Sequence, residues 1–169
     1  NLAERLTEIM KKYHVAPTQI NLEITETAAA HSDMLENNIK ILHKQGIEFS
    51  LDDYGSGYSN TDYLFRFPFR IVKIDKTILW EAFKNEKAMI ALRNTIRMIK
   101  ELGLEIVVEG VENQEYVDYL TEQHCDYLQG YFYSKPIPDR DFLELLRREN
   151  VQYYAERFSK NELSDIITT

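Results

Sequence analysis

The chain has 169 residues, of which 44% are hydrophobic and 28% charged, and its formal net charge is -8 at pH 7. These values are typical of a globular domain and exclude a disordered chain. The negative charge argues against a nucleic-acid polymer or an anionic membrane as partner, and a phosphate ligand would need an accompanying cation. A single cysteine, Cys125, excludes an internal disulfide and fits a cytoplasmic compartment. No apolar run reaches the roughly 18 residues that span a bilayer.

The predicted elements begin with an amphipathic helix at residues 1–15 that lacks a start methionine, so we expect a piece of a longer protein. Apolar runs then predict five strands, at 20–26, 47–53, 70–75, 105–111 and 127–132. Helices are expected between and after them, at 32–45 with Ser32 as cap, 85–102, 113–123 and 139–149. This alternation favours βα units around a parallel sheet.

Polar side chains collect at the carboxyl ends of the predicted strands. They are Glu23, Glu26, Asp52, Asp53, Lys73, Asp75, Glu109, Glu112 and Gln129. In a parallel βα fold these ends meet on one face, where barrel and open-sheet enzymes place their sites. A closed (β/α)8 barrel has eight strands in about 250 residues, so about three βα units are expected before Asn1.

The adjacent aspartates Asp52 and Asp53 are followed at once by the glycine-containing stretch YGSG. Carboxylates that converge with a lysine suit Mg²⁺ or Mn²⁺, which hold a phosphodiester and lower the pKa of a bound water. Gly55 and Gly57 would allow a tight turn over such a site. Turn or cap chemistry is the alternative for the aspartates, and a structural pair with Asp75 is the alternative for Lys73.

Five ordered motifs carry a family resemblance: LEITE (22–26), DDYGSGYSN (52–60), VKIDK (72–76), VVEGVEN (107–113) and CDYLQGYFYSKPIP (125–138). Up to about Arg148 the chain resembles the EAL domain family, bacterial phosphodiesterases that linearise cyclic di-GMP. The resemblance implies an α/β, (β/α)8 TIM-barrel-like EAL fold whose N-terminal strands lie outside this chain. We therefore expect a partial EAL domain at 1–150 and a helical tail or linker at 151–169.

The resemblance also implies the roles of the central residues. Glu23 is similar to a ligand of the first metal, Asp52 to the ligand shared by two metals, and Asp53 to the ligand of the second metal. Lys73 resembles the lysine that holds or polarises the attacking water. Glu109 resembles a carboxylate that acts as base or as second-metal ligand.

Other positions are implied to support these residues. Gln129 matches a position that supports the catalytic water, and Glu26 matches the residue that steadies the loop after the aspartates. Further support for the substrate or the loop is expected from Glu112, Gly55, Gly57 and Pro136. Tyr127, Tyr131 and Tyr133 have strand spacing, for which core packing is favoured over guanine stacking.

The implied function is metal-dependent hydrolysis of cyclic di-GMP to linear pGpG, with two Mg²⁺ or Mn²⁺ ions as cofactors. The implied partners are cyclic di-GMP, a second copy of the chain, and a sensor or cyclase domain in a parent protein that is cytoplasmic or has a membrane anchor. The Glu-Ala-Leu strand and an asparagine ligand of the family fall outside the chain, so we expect it to be inactive alone. The alternative is a catalytically silent domain that senses cyclic di-GMP or docks a protein.

Overall fold

A computed structural model of the chain describes residues 2–30, 33–57 and 61–149. The chain divides into two compact units, Asn1–Tyr133 and Ser134–Thr169. The described part of the second unit contains one helix, α8, at Asp139–Glu149. Ser32, the predicted cap, and the predicted tail at 151–169 lie outside the described residues, so the predicted boundary at residue 150 stays a prediction.

Five strands in the first unit form a single parallel sheet whose spatial order follows the sequence. They are β1 Asn21–Thr25, β2 Glu48–Tyr54, β3 Ile71–Ile74, β4 Glu105–Val108 and β5 Tyr127–Leu128. Neighbouring strands pair in parallel throughout, as between Val72 and Ile106. Because every strand runs in the same direction, all five carboxyl ends lie along one edge of the sheet.

Helices precede and connect these strands as the alternating pattern predicts. They are α1 Leu2–Tyr13, α2 Glu26–Ala30, α3 Asp33–Lys44, α4 Tyr63–Arg66, α5 Lys76–Ala82, α6 Glu86–Glu101 and α7 Gln114–Glu122, with a 3₁₀ turn at Pro17–Gln19. The sequence does not predict α2, α4 and α5, because helices of 5, 4 and 7 residues contain too few turns for a visible period. None of the described helices is long and apolar enough to cross a membrane.

Two asparagines set the starts of the helices on either side of β4. The Asn85 side chain accepts a hydrogen bond from the Lys87 backbone N–H, and the Asn113 side chain accepts one from the Tyr116 N–H. Each bond satisfies a backbone donor that the first turn of a helix leaves unpaired. The helix starts predicted at 85 and 113 are therefore within one residue of the observed α6 and α7.

The core consists of apolar side chains from the strands packed against side chains from the helices. Fully buried residues of the strands include Leu51, Val72, Ile74, Ile106 and Val108, and those of the helices include Leu79, Leu92, Ile96, Ile99 and Leu120. Burying each large side chain contributes about 1.5–3 kcal/mol. This packing fixes the strands, and so fixes the backbone from which the polar side chains at the strand ends project.

The last strand is shorter than predicted, since β5 ends at Leu128 and a turn follows at 131–133. A Cβ added to Gly130 would lie 2.0 Å from the Val111 carbonyl oxygen, so the backbone approaches there more closely than any other residue allows. The prediction that these tyrosines pack in the core is wrong. Tyr131 and Tyr133 are 61% and 54% exposed, because strand alternation does not extend to them.

Candidate metal and phosphodiester site

Lys73, on β3, is the centre of a cluster of charged groups at the carboxyl ends of the strands. Its Nζ lies 2.8 Å from Asp52 Oδ1, 2.9 Å from Glu109 Oε1 and 3.1 Å from Glu23 Oε1. These carboxylates come from β2, from the residue after β4, and from β1. Four consecutive strands therefore place their charged groups around one ammonium, as their common direction predicts.

The surroundings of Lys73 keep it protonated. Burial acts to lower the pKa of Lys73, but hydrogen bonds to Asp52, Glu109 and Glu23 outweigh burial and raise it above its usual range. The Lys73 side chain is only 11% exposed, so water screens these contacts weakly. At neutral pH the group is a fixed cation and a hydrogen-bond donor, and it cannot accept a proton.

Asp75 does not take part in this cluster. Its Oδ1 accepts a hydrogen bond of 2.9 Å from the Thr77 N–H and a further bond from the Thr77 hydroxyl, and it caps α5. The alternative in which Asp75 is the structural partner of Lys73 is therefore wrong. The first turn of a helix leaves backbone N–H groups unpaired. The carboxylate of a residue just before the helix can accept a hydrogen bond from one of them, as Asp75 does.

Asp53 joins Asp52 on one side of the sheet through an irregularity in β2. The pairing register between β2 and β3 shifts between Leu51 and Tyr54, and Asp53 has a left-handed φ of 57°. Asp52, Asp53 and Glu109 each offer an oxygen atom, and these oxygens lie within 4.8 Å of one another.

This donor set fits a divalent cation, because Mg²⁺, Mn²⁺ and Ca²⁺ bind carboxylate oxygens from several residues at once. Glu23 adds a carboxylate at the same Lys73 ammonium. With more acidic than basic groups, the cluster attracts cations and repels an unaccompanied phosphate.

Glu26 holds the loop that follows the aspartates. It is 4% exposed, and its Oε2 accepts a hydrogen bond of 3.2 Å from the Gly55 N–H. Gly55 has φ 88°, a conformation that glycine adopts without strain, and its support of the substrate or the loop stays a prediction. A Cβ added to Gly57 would meet no described atom within 4 Å, and residues 58–60 of this motif lie outside the described residues.

The remaining predicted residues lie at different distances from the cluster. Gln129 is close, since its Nε2 donates to Glu109 Oε1 at 3.4 Å. Glu112 is exposed in the loop after β4. Pro136 belongs to the second unit, so its predicted substrate-side role stays a prediction.

Sequence reasoning missed Trp80, whose indole Nε1 donates to the Gly110 carbonyl at 2.8 Å, next to Glu109. The available signal was spacing, because Lys76 and Trp80 are four residues apart and share one face of a helix. That signal needed α5, which the sequence did not predict.

The fold and site define a class of protein: a parallel α/β domain with an acidic cluster at the carboxyl ends of its strands. The model of the family described as the EAL domain matches residues 1–136, so the chain belongs to the EAL domain family. The predicted family and its α/β, TIM-barrel-like fold are confirmed.

Named relatives agree with this assignment. Cyclic di-GMP phosphodiesterase RocR of Pseudomonas aeruginosa is 34% identical over 145 residues, which are 85% of this chain and 37% of that protein. The crystal structure of the EAL domain of Mycobacterium smegmatis DcpA has a TM-score of 0.79 and 30% identity, covering 88% of this chain and 67% of that one.

A further solved structure carries ligands. The manganese and cy-diGMP complex of Klebsiella pneumoniae BlrP1 has a TM-score of 0.72 and 27% identity, covering 79% of this chain and 34% of that one. The chain thus spans little more than a third of RocR and of BlrP1.

Proposed function

We propose that this chain is part of a metal-dependent phosphodiesterase that hydrolyses cyclic di-GMP to linear pGpG. The observation that carries the proposal is the convergence of Asp52, Glu109 and Glu23 on the Lys73 ammonium. This arrangement occurs in a chain of the EAL domain family, in which the relative RocR is a cyclic di-GMP phosphodiesterase.

Asp52, Asp53 and Glu23 would hold the cations, for which we propose Mg²⁺ or Mn²⁺, and Glu109 would act as a further ligand or as the base. BlrP1 supports this choice, because its complex contains manganese together with the cyclic dinucleotide. When bound, the cations neutralise charge on the phosphodiester and lower the pKa of a water. The carboxylate oxygens of Asp52, Asp53 and Glu109 lie within 4.8 Å of one another, which supports a joint role of Asp52 and Asp53 as cation ligands.

Lys73 acts in this proposal as a donor. A fixed ammonium can orient the attacking water through its oxygen and can stabilise negative charge that develops on the phosphoryl oxygens. A protonated Lys73 has no lone pair that could accept a proton, so in this proposal the proton of the water passes to another group. We assign that role to the Glu109 carboxylate, whose Oε1 is oriented by the Lys73 ammonium and the Gln129 amide.

The bond that breaks follows from the product. Linear pGpG carries a 5′-phosphate, so water oxygen bonds to phosphorus while one P–O3′ bond breaks. The proton leaves the water toward Glu109, and the released 3′-oxygen takes a proton from solvent. One water is consumed for each ring opened.

The test is mass spectrometry of cyclic di-GMP incubated with Mn²⁺ and either this chain or a longer form. The longer form adds about 80 residues upstream, the shortfall from a full barrel. We expect linear product from the longer form only. Lys73→Met in that form should abolish product, and full activity in that variant would overturn the mechanism.

A catalytically silent domain that senses cyclic di-GMP or docks a protein is the second candidate. It is favoured by one observation: three described residues bring carboxylate oxygens within mutual reach, and two six-coordinate cations need ligands beyond those three side chains. If the longer form binds the dinucleotide and produces no pGpG, this second function replaces the first.

The partners follow the same proposal. We propose cyclic di-GMP as ligand, a homodimer as the working assembly, and a sensor or cyclase domain within the parent protein at a cytoplasmic location. Light scattering of the longer form measures the dimer directly. A monomer at every concentration would remove that part of the proposal.

A further inference from the structure

Trp80 is the only tryptophan of the chain, and it bonds to the backbone beside the acidic cluster. Its indole Nε1 donates to the Gly110 carbonyl oxygen at 2.8 Å, and the side chain is half-buried. Gly110 directly follows Glu109, whose carboxylate lies 2.9 Å from the Lys73 ammonium. A side chain on α5 therefore contacts the carbonyl of the residue that follows a proposed metal ligand.

The contact between α5 and Gly110 is close. A Cβ added at Gly110 would lie 2.3 Å from Lys76 Cβ and 3.0 Å from Trp80 Nε1. The Lys76 ammonium lies 5.5 Å from the centre of the Trp80 ring, so the two side chains also pack on each other. The left-handed φ of 71° at Gly110 turns the chain away from β4 at this contact.

The residues on either side of Gly110 make backbone hydrogen bonds to other segments of the chain. The Glu109 N–H donates to the Ile74 carbonyl at 3.0 Å, and the Val111 N–H donates to the Gln129 carbonyl at 3.1 Å. Those bonds join backbone to backbone, whereas the Gly110 carbonyl is held by a side chain. A substitution of Trp80 can therefore remove the hydrogen bond to the Gly110 carbonyl and leave the backbone hydrogen bonds of Glu109 and Val111 in place.

We propose that Trp80 is a positioning residue of the acidic site, which fixes the direction of the Glu109 carboxylate by holding the Gly110 carbonyl. The inference rests on the proposed function for the use of Glu109 as a metal ligand or base. It adds a residue of α5 to a site otherwise built from the ends of strands. It also makes the single indole N–H a reporter of that site.

The first test needs no metal. In the ¹⁵N-labelled chain the only indole N–H gives one signal in a proton–nitrogen spectrum, and we expect slow exchange of this proton with solvent. We also expect Glu109→Gln to shift this signal, because only the Glu109–Gly110 peptide and the Gly110 Cα separate residue 109 from the carbonyl that the indole holds. Exchange as fast as that of a free indole, or no shift in the variant, would overturn the proposal.

The second test measures Mn²⁺ binding by electron paramagnetic resonance, without substrate. Trp80→Phe keeps an aromatic ring and removes the donor, and we expect Mn²⁺ to bind about 3- to 10-fold more weakly, the effect of one lost hydrogen bond. Phe83→Leu is the matched control. It removes packing of Phe83 on Tyr116, whose rings are 4.5 Å apart, in the same region of the fold.

Thermal unfolding of both variants separates positioning from general destabilisation. We expect similar losses of thermal stability and a loss of Mn²⁺ affinity in Trp80→Phe alone. Where the unsubstituted chain binds Mn²⁺, equal Mn²⁺ affinity in that chain and in Trp80→Phe, or equal losses of Mn²⁺ affinity in Trp80→Phe and Phe83→Leu, would overturn the positioning role. If the unsubstituted chain binds Mn²⁺ no better than Glu109→Gln, the metal site of the proposed function fails in this chain, and the indole measurements still decide the role of Trp80.

Discussion

Asp52 and Asp53 are neighbours in β2, yet both carboxylates reach one cluster with oxygens within 4.8 Å of each other. Successive side chains of a regular strand point to opposite faces, so this arrangement requires a local departure from strand geometry. The departure is the left-handed φ of 57° at Asp53, at the place where the register with β3 shifts. Aspartate tolerates this conformation better than most residues, and its cost is offset by the surrounding fold.

Substitution of Asp53 should separate conformation from charge. We expect the free energy of unfolding of Asp53→Ala to be about 1 kcal/mol lower than that of Asp53→Gly, because only glycine adopts positive φ without a Cβ clash. Asp53→Asn should retain most stability while losing cation affinity. Urea denaturation measures the first effect and Mn²⁺ titration the second. Equal stability of the alanine and glycine variants would contradict the conformation of Asp53.

Lys73 and Arg70 form a natural comparison, because each bridges carboxylates of the strands beside β3. Arg70 bonds Glu48, and its Nη2 lies 3.1 Å from Glu105 Oε1, but its side chain is 47% exposed. We expect Arg70→Met to lower the free energy of unfolding by about 0–1 kcal/mol, the range for exposed ion pairs. Lys73→Met should cost about 1–3 kcal/mol, since it leaves partly buried carboxylates facing each other.

The same pair of variants checks the site assignment. If the longer form turns over cyclic di-GMP as proposed, Arg70→Met should retain that turnover while Lys73→Met loses it. Denaturation and product analysis on both proteins give the two readouts. Comparable loss of turnover in both variants would mean that sheet stability, and not the Lys73 ammonium, controls activity.

The pH dependence of Lys73 has a definite sign. Its folded pKa is raised above the unfolded value of about 10.4, so its stabilising contribution is complete below that value and is lost only as pH rises through the folded pKa. We expect the stability difference between the unsubstituted chain and Lys73→Met to stay constant from about pH 7 to pH 10. Denaturation at several pH values measures this difference. Its disappearance by about pH 9 would show that the pKa is lowered.

Gly110 and Gly103 both have positive φ, of 71° and 76°, and differ in the space around them. A Cβ on Gly110 would lie 2.3 Å from Lys76 Cβ, whereas one on Gly103 would meet nothing within 4 Å. We expect Gly103→Ala to cost about 1 kcal/mol from backbone conformation alone. Gly110→Ala should cost at least about 1 kcal/mol more, because α5 must also move. Chemical denaturation of the two variants gives the comparison, and equal losses would argue against close packing of Gly110 on α5.

Much of the fold could be predicted because it depends on local signals. Asn85 and Asn113 cap α6 and α7 with their own side chains, so the starts of these helices can be read from a few neighbouring residues. The convergence of Lys73 and Glu109 also follows from the sequence, since parallel strands bring their carboxyl ends together. The extent of β5 could not be predicted, because the close approach of Gly130 to Val111 ends it.

The sequence by itself determined the order of strands and helices and the set of charged residues at the strand ends, because propensity, periodicity and capping act over a few residues. Only the tertiary structure decided which of these charges meet. It gave Lys73 the carboxylates of three other strand ends as partners and left Asp75 to a helix cap. It also set the backbone of Asp53 and placed the Trp80 indole on the carbonyl of the residue after Glu109. Such contacts depend on distances between segments far apart in the chain, and packing of the core fixes those distances.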